Sequence, residues 1–227
     1  MNSAKITRLT RVTISALAFF CVITSQAQAG TATSINGLYV TGIDGTDTGT
    51  RDDHWAMSAG GYAYVVSNTN VNTNGWLANV GSSKWISYAN NGSTGLGSGA
   101  YTYTLSFTIA GNPQTQGEPV SNVSVYMTLA VDDSAVVTVN GGNGVSTTGT
   151  GQWSRTQNLT LSNGFVIGNN TITITVSNSG SGPSGVMVTS ISGVVPEVGT
   201  WVPLAIAFGL FAWARFRPRK HTLPAAV

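Results

Sequence analysis

Three stretches of this chain alternate apolar and hydroxyl side chains with a period of two, and that alternation constrains the fold more than any other feature. In residues 100–110, Tyr101, Tyr103, Leu105, Phe107 and Ile109 alternate with Thr102, Thr104, Ser106 and Thr108. Residues 123–131 set Val123, Val125, Met127, Leu129 and Val131 against Ser124, Tyr126, Thr128 and Ala130, and residues 170–178 repeat the pattern. Neighbouring side chains of a strand point to opposite faces, so such segments bury one face and wet the other. Further strands read at 135–140 and 186–192, with weaker ones at 35–43, 61–67 and 84–89. Gly- and Asn-rich breakers at 140–144, 168–170 and 179–185 separate them, and no window of residues 30–194 carries a helical period. Short strands at this spacing predict an all-β fold, an antiparallel β-sandwich of jelly-roll type. A parallel β-helix is the rival, and it lacks the short internal repeat that such a fold requires.

The two ends follow other rules. Lys5, Arg8 and Arg11 precede an apolar run over 12–23, and Ala27-Gln28-Ala29 follows as a small-x-small site. This predicts a signal peptide over residues 1–29, handled by Sec-type export machinery and a signal peptidase, with Ala27 and Ala29 marking cleavage. Cleavage there removes Cys21, the only cysteine, and leaves no disulfide chemistry. At the other end, residues 201–214 are uncharged and reach about 21 Å as a helix. That is short of a bilayer core of about 30 Å. Arg215, Arg217, Arg219 and Lys220 then form a basic stop cluster that keeps this end cytoplasmic. An ordinary single-span anchor is the competing reading of the segment; its short span favours transient hold at the inner membrane.

Charge must be recounted between these ends. Seven of the ten basic residues lie in them, leaving Arg51, Lys84 and Arg155 against seven acidic residues in 30–194, a net charge of −4. The whole-chain charge of +2 therefore belongs to the termini, and nothing electrostatic favours nucleic acid.

Residues 195–220, from Val195-Pro196-Glu197 through the apolar segment to the basic cluster, resemble the PEP-CTERM sorting signals processed by exosortases. The resemblance implies that Val195, Pro196 and Glu197 are the recognised motif and that an exosortase-type enzyme is a partner. Val198 stands where the motif's second proline is expected, and residues 221–227 form a short tail beyond it. The body resembles galactose-binding-like jelly rolls of exported bacterial proteins, through Asp53-His54-Trp55, Ala63-Tyr64-Val65-Val66, Trp76-Leu77-Ala78-Asn79, Ser83-Lys84-Trp85-Ile86, Val131-Asp132-Asp133 and the stretch 165–171. That resemblance spans most of residues 36–194 and implies a non-catalytic, glycan-associated module within the β-sandwich ectodomain of residues 30–194.

Chemistry has few places to reside. His54, beside Asp52 and Asp53, has no nucleophile-elbow pattern near it, so a Ser-His-Asp arrangement is not expected. Asp132 and Asp133 could form half of a glycosidase pair, but adjacent strand residues face opposite ways, and a turn in which Asp caps the backbone is the better expectation. Asp44, Asp47, Asp52 and Asp53 lie in one Gly-rich loop, the hard-oxygen chemistry of a candidate structural calcium site, though without EF-hand spacing. Trp76, Tyr88 and Trp153, with Asn79, are candidate glycan-binding residues, since sugar faces pack on rings while hydroxyls need polar partners. The expectation is an exported, surface- or matrix-associated protein, structural or adhesive in a polysaccharide-rich matrix, with a carbohydrate-binding module as the alternative and a glycoside hydrolase as a distant one.

Overall fold

The computed structural model describes residues 33–45, 49–90, 96–149 and 151–195. The signal-peptide expectation with Ala27 and Ala29, the motif residues Pro196 and Glu197, the cluster Arg215 to Lys220, and Asp47 all lie outside them. Among the described residues eleven strands form in chain order: β1 (Ser34–Asn36), β2 (Arg51–Met57), β3 (Tyr62–Val65), β4 (Ile86–Ser87), β5 (Gly99–Ala110), β6 (Ser124–Asp132), β7 (Ser134–Val139), β8 (Val145–Ser146), β9 (Gln157–Leu161), β10 (Gly168–Asn178) and β11 (Gly185–Val194). A short α-helix, α1 (Asn68–Thr73), follows β3, and its N-terminus is capped by Ser67 Oγ accepting from the Asn70 amide at 3.1 Å.

The strands pair in the order β8-β7-β10-β5-β2-β3-β4-β11-β6-β9, with β1 also on β5, and every named pairing is antiparallel. This path bends over through β2, β3 and β4 to make two walls. β7, β10 and β5 form one; β11, β6 and β9 form the other. From β5 onward the chain crosses between walls with each long strand, which is the connectivity of an antiparallel jelly-roll sandwich.

The alternation places the core. Tyr103, Leu105, Phe107 and Ile109 of β5, with Ile172, Ile174 and Val176 of β10, face Val125, Met127, Leu129 and Val131 of β6 across the interior. Trp55 of β2 is fully buried among them. The period breaks at residues 129–132 and 185–188, which are buried on both faces. There the segment between β3 and β4 lies over the outside of the β6–β11 pair. Val66, Val71, Trp76 and Trp85 cover the register partners Ala130 and Met187. Gly185 makes the close approach possible, because a Cβ there would stand 2.7 Å from the Ile86 carbonyl oxygen and 3.1 Å from the Trp76 ring.

Several expected strands are shorter than the pattern suggested. The stretch 35–43 pairs only through Asn36, after which Gly37 at φ +92° turns the backbone away. Of 61–67 only Tyr62–Val65 is strand, since Ser67 starts α1, and of 84–89 only Ile86 and Ser87 pair. β2, β8 and β9 were not expected, nor was α1, whose six residues, five of them polar, bury only Val71.

Candidate functional site

The acidic loop proves to be partly strand. Asp52 is fully buried at the start of β2, where Oδ1 accepts from the His54 and Trp55 amides at 2.8 and 2.9 Å and Oδ2 accepts from the Gly42 amide. Its lone pairs are committed to backbone donors, a local use that shapes the irregular start of β2. Asp44 pairs instead with His54, Oδ2 to Nε2 at 2.8 Å, while the His54 ring stacks on Tyr39 at 3.6 Å. Asp53 is exposed. Asp44, Asp52 and Asp53 thus point to separate tasks, and among the described residues no three metal-ligating side chains come together. Asp47, the fourth residue of the expected calcium set, lies outside the described residues. The Asp44 contact also occupies Nε2 of His54.

Asp132 and Asp133 do occupy a corner, between β6 and β7, and they divide their roles. Asp133 accepts from the Ser179 amide at 2.8 Å and from the Ser179 hydroxyl at 2.6 Å, the capping role expected of a turn aspartate. Burial alone would push its pKa up, but these two bonds hold it below the ordinary carboxylate value. Asp132 turns inward, is 7% exposed, and accepts from Trp76 Nε1 at 2.8 Å. Burial pushes it up to about 7, the neighbouring Asp133 adds to the rise, and the indole N–H pulls against both. The pair is a structural joint between the β6–β7 corner, the Ser179 turn and the Trp76 cover, not two carboxyls facing a cleft.

The glycan-binding candidates mostly serve that same cover. Trp76 is 5% exposed and stacks on Trp85 with ring centroids 4.3 Å apart, so its faces are taken. Asn79 donates to Asn68 Oδ1 at 2.6 Å and accepts from the Trp85 amide at 3.3 Å. Trp153 packs half-buried against the cluster, and its carbonyl accepts from the Leu77 amide. Tyr88 lies elsewhere, edge-on to Tyr101 and Tyr103, with its hydroxyl bound to Ser58 and Thr102. Burial therefore corrects Trp76 as a sugar contact, since an indole enclosed in this stack cannot also be a platform, while Asn79 is half-exposed with its amide group tied to Asn68 and Trp85.

A different aromatic is presented outward. β3 buries Ala63 and Val65 and turns Tyr62 and Tyr64 to solvent, with Tyr62 44% exposed. Across the β2–β3 pair, Arg51 lies over the Tyr64 ring at 4.3 Å, donates from Nη1 to the Tyr62 carbonyl at 2.6 Å and from Nη2 to the Tyr64 hydroxyl at 2.7 Å. The hairpin tip allows this, because Gly60 and Gly61 adopt φ +93° and +74° and a Cβ on Gly61 would meet Arg51 Nη1 at 2.9 Å. A guanidinium carries five N–H donors. Two are used here, and no carboxylate among the described residues pairs with it. The result is an exposed Tyr62 ring on the same strand face as Tyr64, whose ring carries a guanidinium with donors to spare. The sequence signal was Tyr62-Ala63-Tyr64 after Gly60-Gly61, but Arg51 was hidden inside a loop read for its aspartates.

Two open grooves accompany this surface. One of roughly 620 Å³ lies at one end of the sandwich between residues 119–124 and 162–166, and its one aromatic, Phe165, is buried. The other, roughly 440 Å³, lies along the outer face by Asn36, Ser106, Thr108, Asn169 and Thr171.

No family model matches the chain, and no curated protein matches it. Among solved structures it is similar to TmCBM61 in complex with β-1,4-galactotriose, at 16% identity and TM-score 0.39, covering 71% of this chain and 99% of that one. It is also similar to the CBM35 of Cellvibrio japonicus Abf62, at 18% identity and TM-score 0.30, over 74% and 88% of the two chains. A third is an exo-β-1,3-galactanase from Phanerochaete chrysosporium with β-1,3-galactotriose, at 19% identity and TM-score 0.30, over 70% of this chain and 29% of that one.

Proposed function

We propose that this chain is an exported, non-catalytic glycan-binding sandwich that works at a cell surface or in a polysaccharide-rich matrix. The observation that carries the reading is the outward platform of Tyr62 with Arg51. An exposed ring offers an apolar face for the C–H side of a sugar, and a fixed guanidinium beside it offers donors to hydroxyls. This favours a defined glycan site over a purely structural or adhesive role. Catalysis is not part of the proposal, since the His54 and Asp132 clusters are tied into packing. A glycan array probed with the full chain tests it: saturable binding is expected, weakened about tenfold by Tyr62→Ala. Binding that ignores this substitution would move the site elsewhere.

The address remains the one read from the termini: export through residues 1–29, then transient membrane hold and exosortase-type sorting through 195–220. C-terminal mass spectrometry of the surface-exposed protein is expected to find residues 215–227 removed. Finding them attached to the mature protein would sink the sorting reading.

A further inference from the structure

The platform is the end of a row. Tyr62 of β3 is the register partner of Ala56 in β2, and Ala56 is in turn the partner of Thr104 in β5. Thr104 pairs with Thr173 of β10, which pairs with Thr138 of β7. All five side chains lie on the outer face, because their strand neighbours Ala63, Trp55, Leu105, Ile174 and Val137 are buried in the core. Exposed Tyr62 is followed by four half-exposed residues, so the row is open to solvent along its length.

The hydroxyls of Thr104, Thr173 and Thr138 take part in no hydrogen bond among the described residues. On the same face Thr102, Ser106 and Thr175 are likewise without a side-chain hydrogen bond, whereas Thr108 is bonded to Asn169 and Thr171 to Asn140. The outward residues of the three flanking strands are uncharged: Thr102 to Thr108 on β5, Asn169 to Ser177 on β10, and Ser134 to Thr138 on β7. β-propensity accounts for the choice of threonine. It does not account for a register that lines up three unpaired hydroxyls with an exposed tyrosine.

We infer that this row is a track for one extended, uncharged polysaccharide chain running across the strands, with one sugar stacked on Tyr62 and the following ones on Ala56, Thr104, Thr173 and Thr138. The inference rests on the Tyr62 platform being a glycan site. Strands lie about 4.8 Å apart, so five of them span about 19 Å, and one strand step is close to the advance of one pyranose in an extended β-linked chain. Each threonine then offers one donor and acceptor per sugar, and its methyl gives the ring an apolar contact. Arg51 places a cation at the Tyr62 end, but the uncharged outward residues of β5, β10 and β7 and the net charge of −4 over residues 30–194 favour a neutral polymer over a polyuronate along the rest of the row. The sheet's twist of about 20–25° per strand favours a single chain, which can follow it, over a flat crystalline face, which cannot.

The test is titration calorimetry of the full chain with neutral β-1,4-linked gluco-, galacto-, manno- and xylo-oligosaccharides of increasing length, with a polyuronate for comparison. Affinity for at least one series is expected to rise with each added sugar until about five units, one per strand of the row. Thr104→Val and Thr173→Val keep shape and strand preference while removing the hydroxyl, and each is expected to weaken the longest ligand several-fold. Thr160→Val, on the opposite wall, is the control expected to change nothing. Affinity that levels off at one or two sugars would overturn the track but leave the Tyr62 site standing. Tighter binding of the polyuronate would overturn the neutral occupant. No binding in any series would overturn both the track and the reading beneath it.

Discussion

Raising the pH from about 4.5 to about 8 is expected to lower the thermal unfolding midpoint of this protein by roughly 10 °C, with Asp132 as the main cause. In the folded state its pKa is pushed up to about 7, against 3.8 when unperturbed. The folded protein therefore holds a proton that the unfolded chain has lost across that interval. Stability from this group is complete below the unfolded value, declines as pH rises, and is gone above about 7. A shift of this size corresponds to about 4 kcal/mol over the full interval. Asp133 does not oppose the trend, because its pKa is held low and its contribution is lost only as pH falls through acid values. Asp132→Asn is the decisive comparison. The amide oxygen can still accept from Trp76 Nε1 while carrying no charge, so the variant should show a nearly flat profile and exceed the parent in stability at pH about 8. A parent protein whose midpoint does not move between these pH values would remove the buried proton from the account.

The fold was legible in the sequence where one physical signal dominated, and illegible where two competed. β5 and β10 could be read almost to the residue, since each buries one face and leaves threonines on the other. β6 and β11 kept the same period until Ala130 and Met187, where a second layer buries the outer face as well. Nothing local to those residues announces the cover, which comes from residues 66–85 by way of Trp76 and Trp85. The same long-range event misled the reading of Trp76. An indole in a loop-rich stretch with asparagines nearby has the composition of a sugar platform, and only tertiary packing decides whether its faces are free. Asp52 taught the converse lesson. Four aspartates near glycines looked like oxygen ligands, yet one of them serves three backbone amides and turns the chain into β2. Tyr62 and Arg51 escaped notice because their meeting depends on cross-strand register, which a pattern along the chain does not contain.

Trp76→Ala should be the most destabilising single change on the outer layer, at about 3–5 kcal/mol, which is a large share of the roughly 5–15 kcal/mol that holds a typical domain folded. Two losses combine. The cavity removes the ring stacked on Trp85 and packed over Gly185, and Asp132 is left without its indole donor. Trp76→Phe separates them, because a phenyl ring can keep much of the stack but donates nothing. With the bond that pulls its pKa down removed, Asp132 should rise further, so the cost of Trp76→Phe should be greater at pH about 8 than at pH about 5. In the Asp132→Asn background that pH dependence should disappear, leaving only the packing loss. Urea unfolding of the four proteins at both pH values measures this as a double-mutant coupling energy. A coupling that is the same at both pH values would mean that Trp76 acts on Asp132 through packing alone. Glycan binding gives the complementary readout: at temperatures where Trp76→Phe remains folded its affinity should match the parent's, because the indole is buried in the cover over β6 and β11 and is not part of the proposed Tyr62 site.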